Sequence, residues 1–343
     1  MIKIVKRKRK ISPNPKRFLR LHRAEYGQKF NSELNMDHFY PNNEDTILRI
    51  KKYFNLPKNL EIILGHGAES IIKDIIILHS QKNKNKRILI YNPNYYMYEH
   101  FAKVFGYNIY KHNLNLDNHY FIKASEILKN VKKNKINLLC LVNPSAPLEK
   151  LINDNELITI LEYSKKNNIT VILDEVYAKF NKKNSLKFFH FFPNLIIVKS
   201  FSKMLGYPGI RAGLAICKKN IFLELDSLRL SIEISSNTSE KIEKILKKKG
   251  NIKKIEKNIK DSFDYAKKEL LKKNYKVYNK NINSIIFEVK NIKIKNEIIK
   301  KLNKKKILTN YSFSGKMNKC ISFTTTNKKN IDFIIKQLNY YDN

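Results

Sequence analysis

The 343-residue chain has no tryptophan, three cysteines, nine glycines and nine prolines, and 30 acidic residues against 68 basic ones. Each shortage excludes something. Cys140, Cys217 and Cys320 stand far apart with no C-x-x-C, so neither a disulfide framework nor a metal site is expected, and a reducing cytoplasm is the fitting compartment. No apolar run approaches the ~18–20 residues that a membrane span needs. The basic opening, MIKIVKRKRK, leads into Ser-Pro-Asn-Pro and not into the apolar stretch of a secretion signal.

The shortage of acid leaves a net charge of +38, which invites a nucleic-acid reading. Two features oppose it. Only nine of the 68 basic residues are arginine, the side chain suited to bidentate phosphate and base contacts. The lysines are also spread through the whole chain among Asn and Ile, so the expectation is nonspecific attraction to polyanions at low salt and no specific nucleic-acid partner. The cluster at residues 6–10, KRKRK, reads as a frayed basic tail.

An apolar content of 42% is enough for one large core, or a large and a small one. Residues 1–20 read as a flexible basic arm broken by Pro13 and Pro15. Residues 21–45 read as an N-terminal segment that joins a smaller domain. From 46 to 234 short apolar strands alternate with helices: EIIL (61–64), RILIY (87–91), INLLCLV (136–142), TVILDEV (170–176) and NLIIVKS (194–200). Asn153 and Glu156 have capping-box spacing ahead of one of those helices. Strands that are apolar on both faces, separated by helices, give an α/β fold with a mostly parallel sheet and helices on both faces. Ligands then bind beyond the carboxyl ends of the strands. Residues 235–343 change character: lysine-rich helices (239–249, 256–273), short strands (YKVYN, SIIFEV, CISFTTT) and a closing helix read as a smaller α+β C-terminal domain.

One string carries chemistry. Ile197-Val-Lys-Ser200-Phe-Ser202-Lys203-Met-Leu-Gly206-Tyr-Pro-Gly209-Ile-Arg211-Ala-Gly213 runs from a strand into a polar turn that ends in lysine, with an arginine eight residues later. A buried lysine of lowered pKa is the nucleophile that forms a Schiff base with an aldehyde cofactor. Ser200, Ser202 and Arg211 are residue types that hold a phosphate. Together they describe a site for pyridoxal 5′-phosphate (PLP). An isolated Ser-Lys in so lysine-rich a chain would be a solvated loop; the extended spacing S-F-S-K-x-x-G-x-x-G-x-R-x-G is far more specific. It resembles the fold-type I PLP aminotransferases (class I/II), and within them the histidinol-phosphate aminotransferase-like group.

The resemblance runs over roughly residues 20–335 and implies further roles. Asp174-Glu-Val-Tyr177 matches the family's D-E-A-Y, so Asp174 is expected to hold the protonated ring nitrogen and Tyr177 to bond the ring phenolate oxygen. Pro93-Asn-Tyr95-Tyr-Met-Tyr98 is similar to P-T-Y-x-M-Y, which gives Tyr95 the stacking role; Tyr96 and Tyr98 read equally well as core packing. Gly65-His-Gly67-Ala68-Glu69-Ser70 resembles G-x-G-S-D-E and places the Ala68 and Glu69 amides on the phosphate. Tyr40-Pro41 sits where the family lends a tyrosine to a partner subunit, which implies a homodimer. Arg20-Leu-His-Arg23-Ala-Glu25-Tyr matches R-L-D-R-N-E-R at four of seven positions, and Ser227 to Ser236 is similar to a later helix of the family.

Three departures stand out. The N-P-N-N-P-T-G loop reads Asn143-Pro-Ser-Ala146-Pro-Leu-Glu149: Asn143 stays in the cofactor set and is expected to fix the turn, while the second asparagine has become Ala146. The helix-opening glutamate of G-S-D-E has become Ser70. The family's C-terminal arginine, in a string like C-I-R-F-T and forked onto the substrate carboxylate, is replaced by Ile321 or Ser322, and no arginine follows Arg229. Arg23 is the leading substitute cation. The resemblance thus implies PLP-dependent transfer of an amino group between a donor and a keto or aldehyde acceptor, through a Lys203 Schiff base. A decarboxylase or lyase of the same fold, or a catalytically degenerate paralogue, are the alternatives.

Overall fold

Seven strands form the main sheet: β2 (Leu60–His66), β3 (Arg87–Asn92), β4 (Asn108–Asn113), β5 (Leu138–Val142), β6 (Thr170–Asp174), β7 (Leu195–Ser200) and β8 (Ala212–Lys218), in the order β2-β8-β7-β6-β5-β3-β4. They belong to a computed structural model that describes residues 19–20, 43–114, 121–180, 184–230, 232–247, 249–280, 282–313 and 315–338. Every pairing from β7 to β4 is parallel; β8 runs antiparallel to both β7 and β2. All five residues of β5 and all six of β7 are buried, as strands covered on both faces must be. The covering helices are α1 (Glu44–Phe54), α2 (Ala68–Lys82), α3 (Tyr96–Val104), α4 (Ala124–Lys133), α5 (Asp154–Lys166), α6 (Lys219–Asp226) and α7 (Ser236–Lys247).

A second apolar cluster lies beyond. It is built by α8 (Lys249–Lys272), β10 (Ser284–Glu288), α9 (Ile292–Lys304), β12 (Cys320–Thr324) and α10 (Lys328–Leu338), with Phe263, Phe287, Phe323 and Ile331 at its centre. β9 (Lys276–Val277), β10 and β12 form an antiparallel sheet. β1 (Leu19–Arg20) pairs in parallel with β11 (Ile307–Leu308), so the last two residues of the segment read as a flexible arm are strand, joined to the C-terminal part of the chain. The rest of residues 1–42, with Arg23 and Tyr40, lies outside the described residues.

Contacts between elements explain where the structure departs from two readings. Asn153 caps α5 by accepting from the Glu156 amide at 3.0 Å, but the Glu156 carboxylate does not return to Asn153. It accepts instead from the Ala124 amide at 2.6 Å, serving the first turn of α4. The segment from Ser227 to Ser236 is not the expected helix: α6 ends at Asp226 and α7 begins at Ser236. Arg229 between them is pinned to Asp74 of α2 at 2.6 Å and to the Leu64 carbonyl, and these anchors override the local pattern. Among the described residues no helix is long and apolar enough to cross a membrane, and all three cysteines are buried free thiols.

Candidate active site

The parallel strands deliver their carboxyl ends to one edge of the sheet, and β8, running the other way, begins there. Register fixes who meets whom. Val142, Asp174 and Val198 form one cross-strand row; Ser200, Gly213 and Gly65 form another two residues further along β7. Strands about 4.8 Å apart therefore bring the end of β6, the end of β7 and the start of α2 into one short arc.

Asp174 closes β6 and is 4% exposed. Its Oδ1 accepts from the Val176 amide at 2.9 Å and its Oδ2 from the Tyr98 hydroxyl at 2.8 Å. Burial pushes its pKa up to about 6, against the lowering effect of those two hydrogen bonds. Among the described residues no lysine or arginine forms an ion pair with it. A desolvated carboxylate with two donors and no cation is matched to a cationic ring nitrogen arriving from outside the chain.

The anion cradle lies along the same edge. Gly213 lets α2 start against β8: a Cβ there would stand 2.3 Å from the Ala68 amide nitrogen. Gly67 turns the chain at φ 78°, and a Cβ on it would stand 2.9 Å from Arg211 Nη2. The guanidinium thus occupies the space beside the first turn of α2, where the Ala68 and Glu69 amides have no intrahelical carbonyl to bond. The backbone of Arg211 itself takes the left-handed conformation, φ 52°, as the chain enters β8. Ser200 Oγ accepts from the Ser202 amide at 3.0 Å and keeps a proton to donate; both serines are buried. A dianionic phosphate fits a cradle of one guanidinium, helix-opening amides and two hydroxyls.

The remaining expected residues fall around this arc. Lys203 lies half-buried in the turn after β7, and its carbonyl accepts from Asn283 Nδ2 at 3.1 Å, a contact from the segment that leads into β10. Tyr95 caps the start of α3 with its ring 42% exposed, and its hydroxyl donates to Glu69 Oε2 at 2.8 Å. Tyr177 is in the turn after Asp174, packed against the main core. Asn143 follows β5 at the same edge, but both ends of its amide bond the Ile152 backbone, Nδ2 to the carbonyl at 3.0 Å and Oδ1 from the amide at 3.1 Å. It fixes the turn.

Sequence reasoning missed Tyr98, Asn283 and the buried Lys199–Glu175 ion pair (2.6 Å) immediately behind Asp174. For Tyr98 a signal existed: it stands three residues after Tyr95, one helical turn along the same side of α3. The β12 register is also settled. Ile321 and Phe323 point into the C-terminal cluster, so Ser322 lies on the opposite face with Cys320, across from Ile286, and both of these belong to the main core. Ser322, not Ile321, is the residue on the face turned to the main core.

The model of the family described as aminotransferase class I and II matches residues 20–336. The chain belongs to that family. Class I and II aminotransferases are PLP-dependent transaminases, and the cradle and buried carboxylate described above are the kind of site that such a cofactor needs. Among curated relatives, the histidinol-phosphate aminotransferase of Ruminiclostridium cellulolyticum is 26% identical over 306 residues, covering 87% of this aminotransferase and 82% of that one. The crystal structure of the histidinol-phosphate aminotransferase from Clostridium acetobutylicum superposes with a TM-score of 0.78 at 24% identity, over 89% of this chain and 91% of that one. The Sinorhizobium meliloti histidinol-phosphate aminotransferase, in complex with pyridoxal 5′-phosphate, gives 0.82 at 16% identity, over 94% and 90%. The aminotransferase is of the fold-type I, histidinol-phosphate aminotransferase-like kind.

Proposed function

We propose that this protein transfers an amino group from a small primary amine or amino acid to a keto or aldehyde acceptor, with Lys203 as the residue that binds PLP covalently through Nζ. The observation that carries the reading is the arc itself: Asp174, Ser200, the α2 amides and Arg211 stand on adjoining strand ends, with the Lys203 turn following β7. The cofactor supplies an electron sink for the bond broken at the substrate carbon. The chain supplies the rest. Asp174 keeps the ring nitrogen protonated, Tyr177 donates to the phenolate oxygen, and Tyr95 covers one ring face. The Ala68 and Glu69 amides, Ser200, Ser202 and Arg211 hold the phosphate. When not bonded to the cofactor, the Lys203 amine would carry a proton between substrate atoms.

Ser322 supports a substrate half unlike the family's usual one, because a neutral hydroxyl cannot fork onto a carboxylate. Histidinol phosphate, on which the named relatives are said to act, is the first amine to test. Arg23 remains our candidate for a cation at the substrate. A homodimer in which Tyr40 crosses to the partner's phosphate, and a reducing cytoplasmic setting, belong to the same reading. The domain division at residues 45/46 and 234/235 belongs to it too, although the main apolar cluster takes in Ile242, Ile245, Leu246 and Ile252 beyond residue 234.

The test is spectroscopic. The purified protein should be yellow, and an amine screen that includes histidinol phosphate, glutamate and simple primary amines should bleach the band for true donors, with keto product appearing. A coloured protein whose band no amine alters, and which forms no keto product, would overturn the reading.

A further inference from the structure

We propose that Tyr98 is a positioning residue of this site: its hydroxyl holds the Asp174 carboxylate ionised and fixed in orientation for the ring nitrogen of the cofactor. The inference rests on the reading of Asp174 as the ring partner and extends it to a residue 76 positions away on another element.

Tyr98 is fully buried in α3, and its one polar side-chain atom donates to Asp174 Oδ2 at 2.8 Å. The other oxygen is served by Val176, two residues along the same chain, so Tyr98 is the donor brought in from a separate element. Around the carboxylate stand four further groups. Cys140 comes from β5 as a buried thiol, which burial and the Asp174 charge keep protonated. Glu175 is next in sequence, and its charge opposes ionisation of Asp174. Lys199 from β7 lies 2.6 Å from Glu175 and neutralises it, and the half-buried Tyr177 is close by in sequence. Burial and Glu175 thus favour the protonated acid, whereas the Tyr98 hydroxyl and the Val176 amide favour the charged one. Only a charged Asp174 can hold a protonated ring nitrogen. α3 therefore does two things with one turn: it presents the exposed Tyr95 ring at its start and places the Tyr98 hydroxyl beneath, on the acid.

Tyr98→Phe removes one oxygen and keeps the ring that fills the core. PLP dissociation constants of the apoprotein, measured by fluorescence titration between about pH 5 and pH 8, should be compared for wild type, Tyr98→Phe, Asp174→Asn and the double variant. Losing a hydrogen bond to a charged group predicts roughly tenfold weaker PLP binding at neutral pH in Tyr98→Phe. The acid limb of binding should also move up by about one pH unit as Asp174 becomes easier to protonate. Because Tyr98 acts through Asp174, the double variant should bind no more weakly than Asp174→Asn alone. A Tyr98→Phe constant within about twofold of wild type, or an equal loss when the substitution is made on Asp174→Asn, would show a packing residue and overturn the proposal. If Asp174→Asn itself leaves affinity and acid limb unchanged, the ring-partner reading fails first, and the role of Tyr98 with it.

Discussion

The edge of the seven-stranded sheet and the site-facing side of β12 have been treated differently by this sequence. Along the sheet edge the groups that we assign to a PLP site come each from its own string, and the structure draws those strings into one arc: Asp174 buried on β6, Ser200 on β7, Arg211 ahead of β8, Gly67 ahead of α2. On β12 the register places Ser322 on the face turned to the main core, 4% exposed and opposite the apolar Ile286. In our reading one half would hold a charged cofactor, and the other lacks the charge that a carboxylate would meet. On that reading a family keeps its chemistry in one region while its choice of substrate changes in another.

The comparison can be broken most sharply at its chemical end. Lys203→Ala should lower turnover by at least about three orders of magnitude, because the covalent partner and proton carrier disappear together. PLP should still bind, through the phosphate cradle; a variant that keeps a tenth or so of wild-type activity would remove Lys203 from the mechanism. Next in size, Asp174→Asn should cost roughly a hundredfold in kcat, since a neutral amide cannot hold the ring nitrogen protonated. Steady-state kinetics within about threefold of wild type would contradict that.

The cradle is tested by Gly67→Ala, which places a methyl against Arg211 at a backbone angle that L-residues rarely adopt. PLP affinity should fall about tenfold to a hundredfold, the value of one or two hydrogen bonds to a charged group. Ser322→Arg sharpens the other half. If that subsite is merely vacant, affinity for glutamate should rise by up to about tenfold with little change for amines that lack a carboxylate. Equal, unchanged constants for both would mean that β12 does not line the substrate site.

The smallest effect is on stability. The pKa of Asp174 in the fold, about 6, is above the ordinary aspartate value, so the fold binds its proton more tightly than the unfolded chain. Its contribution to stability is full below about pH 4 and is lost as pH rises through about 6. Apo wild type should therefore lose thermal stability relative to Asp174→Asn between about pH 4 and pH 7.5, which scanning calorimetry would show. Parallel curves for the two proteins would mean that Asp174 is not raised in the fold.

How much was legible follows the same division. The Lys203 turn, Asp174-Tyr177 and the Gly67 turn are contiguous strings: spacing singled out the first, resemblance to the family's motifs the other two, and the alternation of strands and helices gave the sheet. Contacts across the chain were hidden. Tyr98 bonds a residue 76 positions away, Asn283 reaches the Lys203 carbonyl over 80, and Lys280 N–H meets Glu149 over 131. Tyr98 alone left a local trace, its one-turn spacing from Tyr95, and the bond to Asp174 left none. β8 was overlooked because it begins, at Ala212, within the string that carries the arginine, and its antiparallel direction shows only in the pairing. The choice between Ile321 and Ser322 required two cores to be told apart.

The central claim is that this sheet edge is a PLP site with its covalent anchor at Lys203. Borohydride reduction of the holoprotein followed by peptide mapping tests it directly. The account predicts a single pyridoxyl-modified peptide, carrying the label on Lys203; a label on any other of the many lysines, or none, would contradict it.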